Sequence, residues 1–203
     1  MLLDLHVHTD RYSACSHLSE QEMLSTLTTG GLSGVCLTEH ERMREKGEWD
    51  LLCGLIEEGL LFQGVELYFP ECEVLLYGVG PTVLKRDSDD LDRLLRRVDE
   101  TGGAAVLAHP FRYTTDMDSV CRLLERYSFH GVEVENGGCG QHLNRMAETI
   151  RERMGLSSLG GSDAHGPGRI GVAATLFEEM VESNEALARA IRAGRCKGVP
   201  LRV

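Results

Sequence analysis

Short apolar segments alternate with longer amphipathic segments along this chain, and this alternation constrains its fold more than any other feature. The apolar segments have the β-branched composition of strands and include GVCLTEH, LLFQGVEL, EVLLYGV, AAVLAH, GVEVEN and LSSLGGSDAH. The amphipathic segments are rich in Leu, Glu and Arg and lie at 19–29, 88–101, 116–127, 140–153 and 184–193. Because strand and helix alternate, we expect a mostly parallel sheet covered by helices, either open or closed into a barrel.

Length and charge limit the classes of protein that the chain can represent. With 203 residues, of which 42% are hydrophobic, it can bury a sizeable core, and we expect one domain over 1–203. The net charge of −11 argues against general binding to DNA, RNA or an anionic membrane, because such partners require a basic surface. The sequence therefore predicts no general nucleic-acid partner and no membrane partner, and it leaves the oligomeric state open.

The cysteines and the first residues indicate the cellular compartment. The seven cysteines are an odd number, contain no CxxC pair and are scattered through an otherwise ordinary core-sized sequence. The first residues lack the basic flank and long apolar region of a signal peptide, and no apolar run approaches the length of a membrane span. We therefore expect a reducing, cytoplasmic location.

Nearly every predicted strand ends in side chains that can bind a metal ion. The first strand ends in His6 and His8, which share one face because strand side chains alternate. The ends of later strands supply Glu39, His40, Glu66, His109, Glu133, Glu135, Asp163 and His165. In parallel α/β folds the carboxyl ends of the strands converge on one face, where sites are built. Since imidazoles and carboxylates are common metal ligands, the sequence predicts a metal centre on this face.

The motifs DLHVHT, LTEHE, GVEL, LAHP and GSDAH stand in the order and rough spacing of the polymerase and histidinol phosphatase (PHP) family, and the chain resembles this family over almost its whole length. The resemblance implies a distorted (β/α)7 barrel of mostly parallel strands with outer helices. It also implies two or three divalent ions (zinc, manganese or iron) and hydrolysis of phosphate esters by a metal-activated hydroxide. The expected substrate is a small phosphate ester, either a phosphomonoester or a nucleotide-like phosphate.

The resemblance also assigns ligands residue by residue. The first ion would be held by His6, His8, Glu66 and Asp163. Glu66 would bridge to a second ion, which also uses His109. A third ion would use His40 and His165, and Asp163 and His165 are expected to act in catalysis as well.

The sequence departs from the family pattern beside the expected ligands. The family histidine that follows the GVE glutamate is replaced in EVLLYG by Glu73, with Cys72 beside it. The Asp or His that the family places after HxHT falls near Cys15, with Asp10 as a competitor, and a thiolate there would favour zinc or iron. The family aspartate before the histidine of the second strand is Glu39 here.

Arginines that closely follow the ligand segments are candidates for a phosphate clamp, because a guanidinium binds two phosphate oxygens at once. Arg112 in HPFR and Arg169 in GPGRIG are expected to act in catalysis, and Arg42 in EHER is a third candidate. The alternative for each of them is a solvated loop position.

The remaining polar residues near the predicted strand ends have simpler interpretations. His17 precedes a predicted capping serine and is expected to be exposed, and His130 is expected to be structural because it begins its strand. His142 begins a helix on the active face and is a candidate substrate contact or acid. Glu133 and Glu135 lie on one face of their predicted strand. The residues expected to line the pocket rather than bind metal are Glu133, Glu135 and Asn136.

Three alternatives to a general phosphoesterase stay open. An amidohydrolase-type barrel also begins with HxH, but it requires a carboxylated lysine or further strand-end histidines, and no lysine stands at a predicted strand end. A non-catalytic PHP module would keep the metals and bind a partner. A histidinol phosphatase is a narrower option within the family, whose members tend to be longer, so we expect an open site in this compact chain.

Overall fold

The computed structural model describes residues 1–29, 31–56, 58–84 and 90–201, with the backbone alone at 28 and 29. These ranges contain nine strands, six α-helices and a 3-10 turn at Pro81–Leu84. The strands are β1 (Leu2–Val7), β2 (Gly34–Leu37), β3 (Leu60–Tyr68), β4 (Glu73–Tyr77), β5 (Ala104–Leu107), β6 (Gly131–Asn136), β7 (Ser157–Gly161), β8 (Ala173–Phe177) and β9 (Cys196–Pro200). The helices are α1 (Glu20–Thr29), α2 (Lys46–Cys53), α3 (Leu91–Glu100), α4 (Met117–Arg126), α5 (Gln141–Met154) and α6 (Asn184–Arg192).

The strands form a single sheet that curls into a nearly closed barrel. Their order is β7-β6-β5-β4-β3-β2-β1-β8-β9. The segment after β7 returns to β1, where the Asp163 amide donates to the His6 carbonyl (2.7 Å) and the His8 amide donates to the Ala164 carbonyl (3.0 Å). The end of β1 is thereby fixed beside the end of β7, and the first and last metal-binding motifs of the chain meet.

The expected mixture of strands and helices is confirmed, whereas the finer prediction of a mostly parallel (β/α)7 barrel is not. Four neighbouring pairs are parallel (β1–β2, β2–β3, β5–β6 and β6–β7), and four are antiparallel (β3–β4, β4–β5, β1–β8 and β8–β9). Only residues 69–72 connect β3 to β4, which is too short for the crossover that a parallel pair requires. Glu73 begins the reversed strand β4, so it lies at the same end of the barrel as the carboxyl end of β3.

The predicted helices are found where the periodicity placed them, with small differences at their ends. The segment 88–101 becomes α3, and its predicted start at 88 and 89 lies outside the described residues. Ser19 and Glu22 form a reciprocal capping box before α1, in which the Ser19 amide donates to Glu22 Oε2 (3.0 Å) and the Glu22 amide donates to Ser19 Oγ (3.3 Å). Helix α2 and strands β8 and β9 were not predicted. In the case of α2, the helix buries only Leu52 fully and has no clear apolar face.

Alternating side chains of the central strands separate the core into layers. In β4, Val74 and Leu76 pack in the cluster beneath α3, α4 and α5, whereas Leu75 and Tyr77 pack in the cluster that includes α6. The fully buried Tyr77 hydroxyl donates to the Leu5 carbonyl (3.0 Å), which satisfies the one polar atom of this side chain. No helix in the described ranges is both long and apolar enough to cross a bilayer, and the cytoplasmic location stays a prediction.

Candidate metal centre

The residues that end the parallel strands meet on one face of the barrel. Among the described residues, four groups of three side chains offer ligand atoms that all lie within 4.8 Å of one another. The groups are His8, His40 and His165; His6, His109 and Asp163; His6, His8 and Glu66; and Glu66, Glu73 and His109. Eight of the nine residues predicted to bind metal are therefore brought together, and Cys15 belongs to none of these groups.

Glu66 lies at the centre of the cluster. Its Oε2 atom is 3.3 Å from His6 Nε2, 3.2 Å from His8 Nε2 and 3.1 Å from His40 Nδ1. Its Oε1 atom is 3.0 Å from His109 Nε2. Burial disfavours a charged Glu66, but His6 and the hydrogen bonds from His109 and His40 outweigh this cost and hold the pKa of Glu66 well below its usual value. One carboxylate thus faces four imidazoles, the arrangement expected of a bridging ligand.

Three polar atoms of the cluster are buried without a hydrogen-bond partner. They are His6 Nε2, His8 Nε2 and Asp163 Oδ1. Asp163 Oδ1 lies 3.6 Å from His6 Nε2 and 3.4 Å from His8 Nε2, so the three atoms face a common volume. A buried polar atom without a partner costs about 1–3 kcal/mol. A divalent cation between these nitrogen and oxygen donors would remove that cost, so the residues present fit the metal ions implied by the resemblance.

Glu133 fixes the orientation of His6. His6 Nδ1 lies 2.8 Å from Glu133 Oε1, so Nδ1 carries a proton and Nε2 faces the cluster. Burial opposes the charged form of His6, but the carboxylates of Glu133, Glu66 and Asp163 outweigh it and raise the pKa of His6 well above its ordinary value. The second oxygen of Glu133 accepts the His109 amide (2.9 Å), so one side chain positions two candidate ligands.

His8 is supported by a chain of polar side chains that ends at an arginine. His8 Nδ1 lies 3.3 Å from Ser13 Oγ, and Ser13 Oγ donates to Glu39 Oε2 (2.6 Å). Glu39 also accepts from Thr9 and from Arg44 NH1 (3.2 Å). Glu39, which stands where the family has an aspartate, therefore holds the loop that carries His8 and belongs to none of the four ligand groups.

Arg112 reaches the cluster from the loop after β5. Its NH2 group donates to Asp163 Oδ2 and to Asn136 Oδ1 (3.1 Å). Burial alone would raise the pKa of Asp163, but His6, His8 and Arg112 lower it by a larger amount. The pKa of Asp163 therefore lies far below its ordinary value. Asp163 is consequently an anion at neutral pH with one oxygen bound by the guanidinium and the other facing the imidazoles.

Two of the candidate ligands have a strained backbone. His109 and Asp163 have positive φ angles of 21° and 53°, a region that residues with a side chain rarely adopt. Such strain costs on the order of 1–3 kcal/mol per residue and persists where surrounding contacts enforce it. Here the amides of both residues are held, that of His109 by Glu133 and that of Asp163 by the His6 carbonyl.

The structure distinguishes the members of one of the two pairs of competing ligands. Glu73 Oε2 lies 3.4 Å from His109 Nδ1 and Glu73 belongs to a ligand group. Cys72 does not, and burial raises the pKa of its thiol to about 12, so it is protonated at neutral pH. Cys15 and Asp10 are both exposed and stand outside the four groups, so the assignment of a further ligand to the His40 group stays a prediction.

The other predicted site residues lie around the cluster or far from it. Arg169 is exposed, and its NH2 group donates to the Gly137 carbonyl (2.5 Å). Arg42 is exposed and stacks on the Tyr12 ring, with 4.2 Å between its Cζ atom and the ring centroid. His17 and His142 are exposed. At the opposite end of the barrel, His130 Nε2 lies 3.0 Å from Asp99, as a structural role requires.

The relation between Glu133 and Glu135 differs from the prediction. The pairing of β6 with β7 shifts register between these two residues, so simple alternation no longer places them on one face. Glu133 faces His6, whereas Glu135 accepts from Asn144 Nδ2 of α5 (3.0 Å). Asn136 does line the site, since its Nδ2 atom donates to Glu133 Oε2 (3.0 Å).

Sequence reasoning missed two residues that organise the site. Arg44 is buried and pairs with Glu39, although nothing in its sequence neighbourhood distinguishes it from a surface arginine. Asp4 is fully buried in β1 and accepts the amides of Ser162 (2.8 Å) and Gly171 (2.8 Å), which closes β1 against the segment after β7. A charged residue inside an apolar strand was the available signal for Asp4.

Residues 141–196, which include Asp163 and His165, match a protein family described as PHP-associated. The predicted resemblance to the PHP family is confirmed. A comparison with curated proteins finds no match.

Solved structures share the fold of this PHP-like chain. PsfC from Pseudomonas syringae aligns with a TM-score of 0.72 at 19% identity, over 98% of this chain and 91% of PsfC. A protein from Bifidobacterium adolescentis described as a metal-dependent phosphoesterase aligns with a TM-score of 0.63 at 16% identity, over 95% and 96% of the two chains. An amidohydrolase from Chromobacterium violaceum with bound sulfate aligns with a TM-score of 0.66 at 16% identity, over 98% and 97%. These similarities establish a PHP-type fold.

Proposed function

We propose that the protein is a metal-dependent phosphoesterase that hydrolyses small phosphate esters. The observation that carries this proposal is the set of three buried, unpartnered atoms, His6 Nε2, His8 Nε2 and Asp163 Oδ1, which surround Glu66. Buried polar atoms without a partner cost free energy, and one bound cation would satisfy all three at once. The adjacent guanidinium of Arg112 adds a fixed positive charge at the edge of the same volume.

The residues that would hold the ions follow from the four ligand groups. His6, His8, Glu66 and Asp163 would hold the first ion, Glu66 with Glu73 and His109 the second, and His40 with His165 the third. When bound, divalent zinc, manganese or iron would supply a hydroxide near neutral pH and neutralise the charge of the phosphoryl oxygens. The positive charge of the ions would also allow a chain with a net charge of −11 to bind an anionic ester.

The side chains of the protein would orient both the ligands and the ester. Glu133 and the Ser13–Glu39 pair keep the protons of His6 and His8 on Nδ1, so both Nε2 atoms face the ions. The bonds from Arg112 to Asp163 and Asn136 fix one edge of its guanidinium. A guanidinium carries five N–H donors, so Arg112 can still donate to phosphoryl oxygens. Arg169, which is exposed and bonded to Gly137, is a second candidate for this contact.

The description of one neighbour as an amidohydrolase favours a second reaction class to be tested alongside the first. That same neighbour binds sulfate, an oxyanion with the shape of phosphate. The neighbour described as a phosphoesterase favours the first class. Parallel assays with phosphate esters, including histidinol phosphate, and with small amides separate these reactions.

The decisive experiment combines elemental analysis of the purified protein with hydrolysis of a generic aryl phosphate before and after chelation. We expect two or three divalent ions per chain and turnover that chelation abolishes and added metal restores. His8→Ala and Asp163→Ala should each lose metal and activity while circular dichroism stays unchanged, and His17→Ala, which removes an exposed imidazole, should retain both. Full metal content in the first two variants would refute the site, and a metal-loaded protein that turns over none of the esters would refute the function.

A further inference from the structure

A cleft of about 750 Å³ opens beside the candidate metal centre. It lies between the turn that joins β3 to β4, the loop after β5 and the helix α4. Its floor and walls are mainly apolar and include Phe69, Leu107, Ala108, Val120, Leu123 and Tyr127. The cleft has the size and the apolar lining of a small-molecule site.

The cleft borders the metal centre. Glu73 and His109 line the cleft and also belong to one ligand group, so a molecule held at that group has direct access to the cleft. The ring of Tyr113 lies edge-on to that of His109, with 6.4 Å between the centroids and 85° between the planes. Tyr113 thus stands at the boundary between the imidazole cluster and the apolar cleft.

Two tyrosine rings flank the cleft and face solvent. Tyr68, from the β3–β4 side, is 63% exposed and Tyr113, from the loop after β5, is 79% exposed. Large apolar rings in water gain free energy when a ligand covers them, and aromatic rings favour flat partners by stacking or edge contact. Tyr68 ends β3 and Tyr113 lies in the loop after β5, and both line the cleft, so a flat group bound there would lie beside them.

We propose that the cleft binds the alcohol portion of the substrate and that this alcohol is aromatic. This inference rests on the proposed phosphoesterase function, because the metal centre must hold the phosphate for the remainder of the ester to enter the cleft. In the reaction, the oxygen of water forms a bond to phosphorus and the bond between phosphorus and the alcohol oxygen breaks. The alcohol oxygen gains a proton and inorganic phosphate keeps the oxygen from water, so no oxidant or reductant is needed.

Benzyl phosphate and ethyl phosphate form a matched pair for the test. Their alcohols have similar acidity, so a difference in kcat/KM reports contacts of the ring rather than leaving-group reactivity. Burial of a phenyl ring predicts a preference for benzyl phosphate of about 10-fold or more in the wild-type protein. Binding of benzylphosphonate and ethylphosphonate, which have no phosphorus–oxygen ester bond to break, measures the same preference by calorimetry without turnover.

Variants of the two tyrosines locate the preference. Tyr113→Ala and Tyr68→Ala should each reduce the ratio of benzyl to ethyl phosphate several-fold, whereas Tyr113→Phe keeps the ring and should retain it. Leu51→Ala is the control, because Leu51 is 75% exposed on α2 and does not line the cleft. Circular dichroism establishes that each variant is folded.

The outcomes separate the inference from the proposed function. Equal kcat/KM for the two esters would overturn the aromatic alcohol, and a preference that survives both alanine variants would overturn its placement in the cleft. Either outcome leaves the phosphoesterase intact. Selective binding of benzylphosphonate that depends on Tyr113, without hydrolysis of any ester by the metal-loaded protein, would support the cleft as an aromatic site and refute the phosphoesterase.

Discussion

Glu133 Oε1 lies 2.8 Å from His6 Nδ1, and both side chains are buried. The contact joins the middle of β6 to the end of β1 across 127 positions of sequence. It sets which nitrogen of the imidazole carries the proton and leaves the other for a metal ion. The electrostatics of the candidate centre therefore depend on a carboxylate that belongs to none of the four ligand groups.

Replacement of this carboxylate by an amide tests its role. Glu133→Gln keeps a hydrogen-bond acceptor for His6 but removes the negative charge that makes the imidazole a better ligand. We expect affinity for the tightest metal ion to fall about 10- to 100-fold, measured by competition with a chromogenic chelator. Glu135→Gln, whose carboxylate contacts Asn144 instead, is the matched control and should bind metal like the wild type.

The buried ion pair of Arg44 and Glu39 predicts a large effect on stability. Arg44→Ala leaves Glu39 buried without its cation, and the loss of one partner of a buried pair costs about 3–5 kcal/mol. Urea denaturation in the presence of a chelator measures this free energy of unfolding without metal linkage. Lys46→Ala breaks an exposed pair with Asp50 and should change stability by less than about 0.5 kcal/mol. Similar small losses in both variants would argue against a structural role for Arg44.

The close approach of β7 to β1 requires a glycine at position 161. A Cβ atom there would lie 2.4 Å from the Cβ atom of His6 and 2.7 Å from its backbone nitrogen. Gly161→Ala should therefore destabilise the fold by about 1–3 kcal/mol and weaken metal binding, because His6 must move. Gly47→Ala, where a Cβ atom meets nothing within 4 Å in α2, should be neutral or stabilising. Thermal unfolding and metal titration of both variants measure the difference.

The pH dependence of stability has a contribution from His130, far from the metal centre. Burial and the nearby Arg192 lower the pKa of His130 below its model-peptide value of 6.5, despite the opposing effect of Asp99. The unfolded chain therefore binds a proton at His130 more readily than the folded chain, so acidification below pH 6.5 reduces the free energy of unfolding. His130→Gln should lose less stability than the wild type between pH 7.5 and 5.5 in urea denaturation with a chelator. Parallel pH profiles would contradict this assignment.

Local patterns in the sequence predicted much of the fold and most of the candidate centre. The capping box at Ser19 and the amphipathic period of α3 to α6 are properties of neighbouring residues, so they could be recognised without a tertiary structure. Helix α2 and the strand β9 have weaker patterns, because α2 packs few side chains and β9 is a short edge strand. Strand β8, which lies between β1 and β9, was also not recognised. The reversed direction of β4 follows from a short connection, but it was hidden by the strand and helix alternation around it.

The sequence by itself determined that imidazoles and carboxylates would gather at the strand ends, because HxH and DxH motifs follow apolar strands. Only the tertiary structure decided between Glu73 and Cys72, assigned Glu133 to His6 and placed Arg112 on Asp163. These decisions depend on a reversed strand, a register shift and the closure of β1 on the segment after β7. Each brings together residues that are distant in sequence, and a local sequence pattern contains no information about such contacts.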